Sequence, residues 1–70
     1  MKTFHVRLKK ERLFNNLTQQ QLADLLGIPI SSYQNYERLG KGQREPDYEM
    51  LVKIAKTLNT TIDYLLGTNN

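Results

Sequence analysis

Leu17-Thr18-Gln19-Gln20-Gln21-Leu22-Ala23-Asp24-Leu25-Leu26-Gly27-Ile28-Pro29-Ile30-Ser31-Ser32-Tyr33-Gln34-Asn35-Tyr36-Glu37-Arg38 is the stretch on which the fold turns. Thr18 has the chemistry of a helix N-cap. Gln21, three residues on, completes a capping box in which the two side chains satisfy each other's free backbone N–H groups. Leu22, Ala23, Leu25 and Leu26 follow at helical spacing, and Gly27 supplies the residue that turns a helix off. A further helix can begin near Pro29, whose fixed φ and missing N–H suit a first turn. That helix sets Tyr33 and Tyr36 on one face and Ile30, Ser31, Gln34 and Asn35 on the other.

Outward from this unit, apolar residues keep recurring three and four apart, and no alternating pattern lasts more than a few residues. A first helix is expected over about Thr3 to Phe14, with Phe4, Leu8 and the Leu13/Phe14 pair turned inward and Glu11 facing solvent. Asn15-Asn16 ends it, because asparagine tolerates the left-handed conformation of a helix stop. Leu39 to Glu45, with Gly40 and Gly42, reads as a loop. Asp47 caps the next helix, whose expected buried face is Tyr48, Leu51, Val52, Ile54, Ala55 and Leu58. Asn59-Thr60 breaks it, Thr61 caps a short last helix, and Ile62, Leu65 and Leu66 pack inward before Gly67. The expected fold is all-α. Nothing repeats and no linker divides the chain, so residues 1–70 read as one domain, with the two-helix unit at about 18–38.

Composition narrows the function. The 70 residues include no cysteine and one histidine, His5, so neither disulfides nor a zinc cluster with sulfur or paired-imidazole ligands can hold them together. A chain this short buries only about 60% of the surface it exposes when unfolded, enough for one small core. No apolar run approaches a membrane span or a signal-peptide core, and the chain reads as cytoplasmic with no membrane partner. His5 has no Ser or Cys partner, and Asp24 and Asp63 are isolated, so neither catalysis nor a metal or other cofactor is expected. The net charge is +3, and its placement matters more than its size. Lys2, Arg7, Lys9, Lys10 and Arg12 precede a segment, Leu13 to Glu37, whose only charges are Asp24 and Glu37; Arg38, Lys41 and Arg44 follow it.

Two short helices joined by a tight glycine-containing turn form a helix-turn-helix unit, whose second helix can lie in the DNA major groove, although such hairpins also occur in purely structural bundles. Ser31, Gln34 and Asn35 on its outward face carry the hydrogen-bond groups that read base edges, with cations just outside. The blocks Leu17 to Gly27, Tyr36-Glu37-Arg38, Arg44-Glu45-Pro46, Leu51-Val52-Lys53-Ile54-Ala55 and Ile62-Asp63-Tyr64-Leu65-Leu66-Gly67 come in an order that resembles the lambda-repressor-like, or XRE, family of helix-turn-helix transcriptional regulators. The resemblance runs from about Val6 to Gly67.

The resemblance implies five helices, with the third as reader. It sets Ile30, Ser31, Gln34 and Asn35 at base-contacting positions, and Gln19, Ser32, Arg38, Lys41 and Arg44 at phosphate-contacting ones. Arg12 and Glu37 fall where this family forms a partly buried ion pair. Two departures stand out: Pro29 replaces the usual Ser or Thr cap, and the loop Leu39 to Gln43 is about three residues longer than the norm. Without Lys or Arg before Arg38, the reader's polar groups suit adenine and Ile30 suits a thymine methyl, so an A·T-rich, pseudo-palindromic operator is expected. Since three residues follow Gly67, no separate sensor or oligomerisation domain is expected. A weak homodimer would form through the last helix, by Thr60, Tyr64 and an exposed edge of Leu65. The rival expectation is a protein-interaction module of the same fold: an antitoxin, a coactivator or an antirepressor target.

Overall fold

Local chemistry sets most helix boundaries in the structure, a computed structural model that describes residues 2–68. Met1, Asn69 and Asn70 of the expected 1–70 domain lie outside the described residues. The elements are α1 (Lys2–Phe14), α2 (Gln19–Leu26), α3 (Ile30–Glu37), α4 (Tyr48–Thr57) and α5 (Ile62–Leu66). Asn16, at φ 58°, turns the chain out of α1. Thr18 accepts from the Gln21 N–H at 3.0 Å while Gln21 Oε1 accepts from the Thr18 N–H at 2.8 Å, completing the capping box. Gly27 ends α2 at φ 73°, where its N–H reaches the carbonyls of Ala23 and Asp24. Asp47 and Thr61 cap α4 and α5 by accepting from Met50 N–H and Tyr64 N–H. Pro29 precedes the first turn of α3 instead of entering it: its ψ of 148° is extended, and Ile30 is the first helical residue.

The helices close around one core. α1 packs on α3 and α5, α2 on α3 and α4, and α4 on α5. Phe4, Leu8, Leu22, Leu26, Tyr33, Ile54, Leu58 and Leu65 are its largest fully buried apolar members. Each large apolar side chain withdrawn from water contributes about 1.5–3 kcal/mol, an upper bound because the unfolded chain already buries some of that surface.

Several expectations need correction. The inward stripe of α1 runs Phe4, His5, Leu8, Arg12, a four-residue recurrence that turns Leu13 and Phe14 to the opposite side, where they are 54% and 80% exposed. His5 is 1% exposed: its Nδ1–H donates to the Tyr36 carbonyl at 2.5 Å, and its ring meets Phe4 edge-on. Glu11 is half-buried, so the solvent-facing expectation holds only in part. Tyr48, assigned to the α4 core face, is exposed; it occupies the first helical position, ahead of the packed residues Met50 and Leu51. Val52 is half-buried, and Pro46 is buried in the approach to α4.

Candidate nucleic-acid interface

α3 has two sides of opposite character. On the inner side Glu37, the helix's one carboxylate, is enclosed. Arg12 Nε donates to its Oε2 at 2.6 Å and Arg12 Nη2 to its Oε1 at 3.2 Å. Tyr33 Oη also donates to Oε2, and Gln19 Nε2 donates to Oε1 at 3.2 Å. Four donors thus fill the acceptor sites of one carboxylate. Arg12 spends Nη1 on the Leu17 carbonyl at 2.8 Å, tying α1 to the entrance of α2. The Arg12 and Glu37 side chains are 8% and 5% exposed. Burial pushes the Glu37 carboxyl up, but the bonds from Arg12, Tyr33 and Gln19 outweigh it and hold the group below the usual glutamate value. The bond to Glu37 raises Arg12, against its own desolvation. Tyr33 is raised by burial and then by the adjacent carboxylate.

On the outer side Ser31, Ser32 and Gln34 are exposed and Asn35 is half-buried. Ile30, expected outward, is half-buried and packs against the core, so only part of it faces out. Gln34 Nε2 donates to Gln19 Oε1 at 3.3 Å, linking the start of α2 to the reader face. The capping box occupies the Gln21 N–H, and the N–H groups of Gln19 and Gln20 remain at the positive end of α2.

The cations sit at the far end of this face. Arg38 ends α3 and is exposed, as are Lys41 and Arg44. The lengthened loop is tied down: Gln43 Nε2 donates to the Arg38 carbonyl at 3.1 Å, and the Arg44 N–H donates to the Asn35 carbonyl at 3.0 Å. Arg44 therefore lies against α3, where Ser32, Asn35, Tyr36 and Arg44 line a recess of about 290 Å³. Gly42 makes the loop path possible. Its φ of 89° is strained for other residues, and an added Cβ would lie 2.8 Å from Arg38 Nη1.

The expected dimer residues are only partly available. Leu65 is fully buried against the core and has no exposed edge. Thr60 and Tyr64 are half-buried, and Arg7 covers Tyr64: its guanidinium stands 4.5 Å from the ring centroid and donates to the Tyr64 carbonyl. Three side-chain bonds that shape the site escaped sequence reasoning. Tyr33 and Gln19 serve Glu37, and Lys53 Nζ donates to the Leu26 carbonyl at 2.8 Å, holding the end of α2 from α4. Lys53 had a signal, a cation set between Val52 and Ile54 in the apolar run of α4, but no pattern stated its partner.

A capped α2, a glycine turn and an α3 whose carboxylate is folded inward beneath an uncharged polar face define a helix-turn-helix protein. The chain belongs to the XRE-type helix-turn-helix family, whose profile matches residues 8–65. It is 48% identical over 68 residues to the uncharacterized HTH-type transcriptional regulator YqaE of Bacillus subtilis, covering 96% of this chain and 56% of that protein. The transcriptional repressor RstR of the cryptic phage CTXphi in Vibrio cholerae is 46% identical over 87% of this chain and 52% of its own length. The SPbeta prophage-derived regulator YonR of Bacillus subtilis is 42% identical over 94% and 59%. The chain thus spans little more than half the length of these relatives. No solved structure matches it significantly.

Proposed function

We propose that this chain is the sequence-specific, double-stranded-DNA-binding part of a transcriptional regulator, a repressor, and that α3 reads the major groove. One observation carries the reading: the outward face of α3 is polar and uncharged, its only carboxylate is turned inward and paired, and Arg38, Lys41 and Arg44 stand exposed beside it. An ionised carboxylate on that face would repel phosphate. In this reading Ser31, Gln34, Asn35 and the exposed part of Ile30 meet base edges. Gln19, Ser32, Arg38, Lys41 and Arg44 hold the two backbones, Gln19 with the help of the free N–H groups of α2. The repressor assignment rests on likeness to a relative that carries that name.

Two protomers would read half-sites about 34 Å apart. The described residues extend 31 × 27 × 21 Å, so neighbours at that spacing meet only at their edges, as a weak dimer through Thr60 and Tyr64 would. Selection from random duplexes tests the proposal. The expected product is an A·T-rich inverted repeat with centres one helical turn apart; G-rich half-sites or a single unrepeated site would contradict the operator assignment.

A further inference from the structure

Leu13 and Phe14, turned out of the core, do not stand alone. Lys10 precedes Phe14 by one helical turn, so an exposed cation shares their side of α1. Past the end of α1 the chain doubles back: the Asn16 N–H donates to the Leu13 carbonyl at 2.9 Å and the Leu17 N–H to the Arg12 carbonyl at 3.1 Å. Leu17 thereby joins the last turn of α1 to a recess on α2, about 380 Å³ in volume and lined by Leu17, Gln21, Asp24 and Leu25. Leu25 is 56% exposed and Phe14 80%. Asp24 is the one charge among the lining residues. Gln20 Nε2 donates to its Oδ1 at 2.8 Å, which leaves Oδ2 open, and neither Lys10 nor Asp24 forms an ion pair among the described residues.

We infer that this surface is a two-fold contact between copies of this chain, in which Phe14 of each protomer enters the recess beside Leu17 and Leu25 of the other, and Lys10 of each meets the other's Asp24. Neighbouring apolar side chains of this size left in water mark an interaction surface, and the charges select its occupant. An acidic partner would suit Lys10 but be repelled by Asp24; a basic partner would suit Asp24 but be repelled by Lys10. A second copy turned about a two-fold axis answers both. A projecting end that is apolar and cationic lies beside a receiving recess that is apolar and anionic, which is the self-complementarity an isologous contact requires. The contact is separate from the one proposed through Thr60 and Tyr64. None of its residues is one that the DNA-binding reading above sets on bases or phosphates, so it stands or falls independently of that reading.

Sedimentation equilibrium of the free chain tests this, with Phe14→Glu, Leu25→Glu, Lys10→Asp, Asp24→Lys and the double variant Lys10→Asp/Asp24→Lys. All four positions are exposed, so each variant should keep the wild-type circular dichroism. The wild type should dimerise, and dilution should move the amide resonances of residues 10–14, 17 and 21–25. Phe14→Glu and Leu25→Glu should each weaken dimerisation by roughly thirtyfold or more. Each single charge reversal should weaken it by roughly tenfold, and the double reversal should recover most of that loss. Thr60→Arg should leave this dimer unchanged. A wild type that stays monomeric up to about 1 mM overturns the inference. So does a dimer that survives Phe14→Glu, one that Thr60→Arg abolishes, or a double reversal no better than the single ones. Should either glutamate variant unfold, the other and the charge exchange still decide the outcome.

Discussion

Arg12 occupies a place in the inward stripe of α1 that an apolar residue would fill in a simpler bundle. It is tolerated there because Glu37 and the Leu17 carbonyl take up its donors. Removing either charge strands the other in a desolvated site. Arg12→Ala and Glu37→Ala should each cost about 3–5 kcal/mol. A chain of this size has a total stability of about 4–10 kcal/mol, so urea titrations should show both variants with at least about a third of that stability lost, and unfolded without urea if the wild type lies at the low end. A loss under about 1 kcal/mol would mean that the pair is solvated and without structural weight. The carboxyl also makes stability depend on pH. Its folded pKa lies below the unfolded one, so between the two the unfolded chain binds more protons and stability rises with pH. The contribution is complete above the ordinary glutamate value of about 4.3 and is lost as pH falls through the lower, folded value. Urea midpoints measured downward from pH 6 should therefore fall more steeply for the wild type than for Glu37→Gln.

Elements divide into those whose ends are written in adjacent residues and those whose faces are decided at a distance. The Thr18 and Gln21 box, the Asp47 and Thr61 caps and the Gly27 turn were all legible, because each needs only residues within about one helical turn. Thr18→Ala should accordingly cost about 1 kcal/mol, visible as a lowered thermal midpoint. The face of α1 was misread at its C-terminal end: Leu13 and Phe14 are the apolar residues there, yet the charged Arg12 faces in because its partner arrives from α3. Periodicity assigns faces by hydrophobicity and has no means of pairing residues 25 apart; only the family resemblance joined Arg12 to Glu37. Burial of His5 likewise depends on the Tyr36 carbonyl, and that of Leu65 on how α5 meets the core. Loop length was readable between Arg38 and Arg44, but not its fastening to α3. Since Arg44 hangs on a main-chain bond to Asn35, Gly42→Val should displace the loop and weaken DNA binding, while thermal stability, set by the core, changes little. Retention of wild-type affinity would show that the loop path does not position the cations.

At the scale of the whole molecule, the net charge of +3 is small, and its distribution is what distinguishes the surface. Lys9 and Lys10 are exposed on α1, and Arg38, Lys41 and Arg44 are exposed beyond α3; the polar reader comes between them in the sequence. No described helix is long and apolar enough to cross a membrane. If these cations neutralise phosphates, log affinity should fall with log salt by about 0.9 for each phosphate engaged. Arg38→Ala or Arg44→Ala should then lower that slope by about one unit while leaving the preferred sequence unchanged, as expected of a contact that positions without reading. The most direct measurement is a titration of the isotope-labelled chain with its selected duplex, following each backbone amide. The largest shifts should fall at Thr18 to Gln20, at Ile30 to Asn35 and across Arg38 to Arg44. Shifts gathered instead on α4 and α5, with the outward face of α3 unmoved, would contradict the assignment of α3 as the reader.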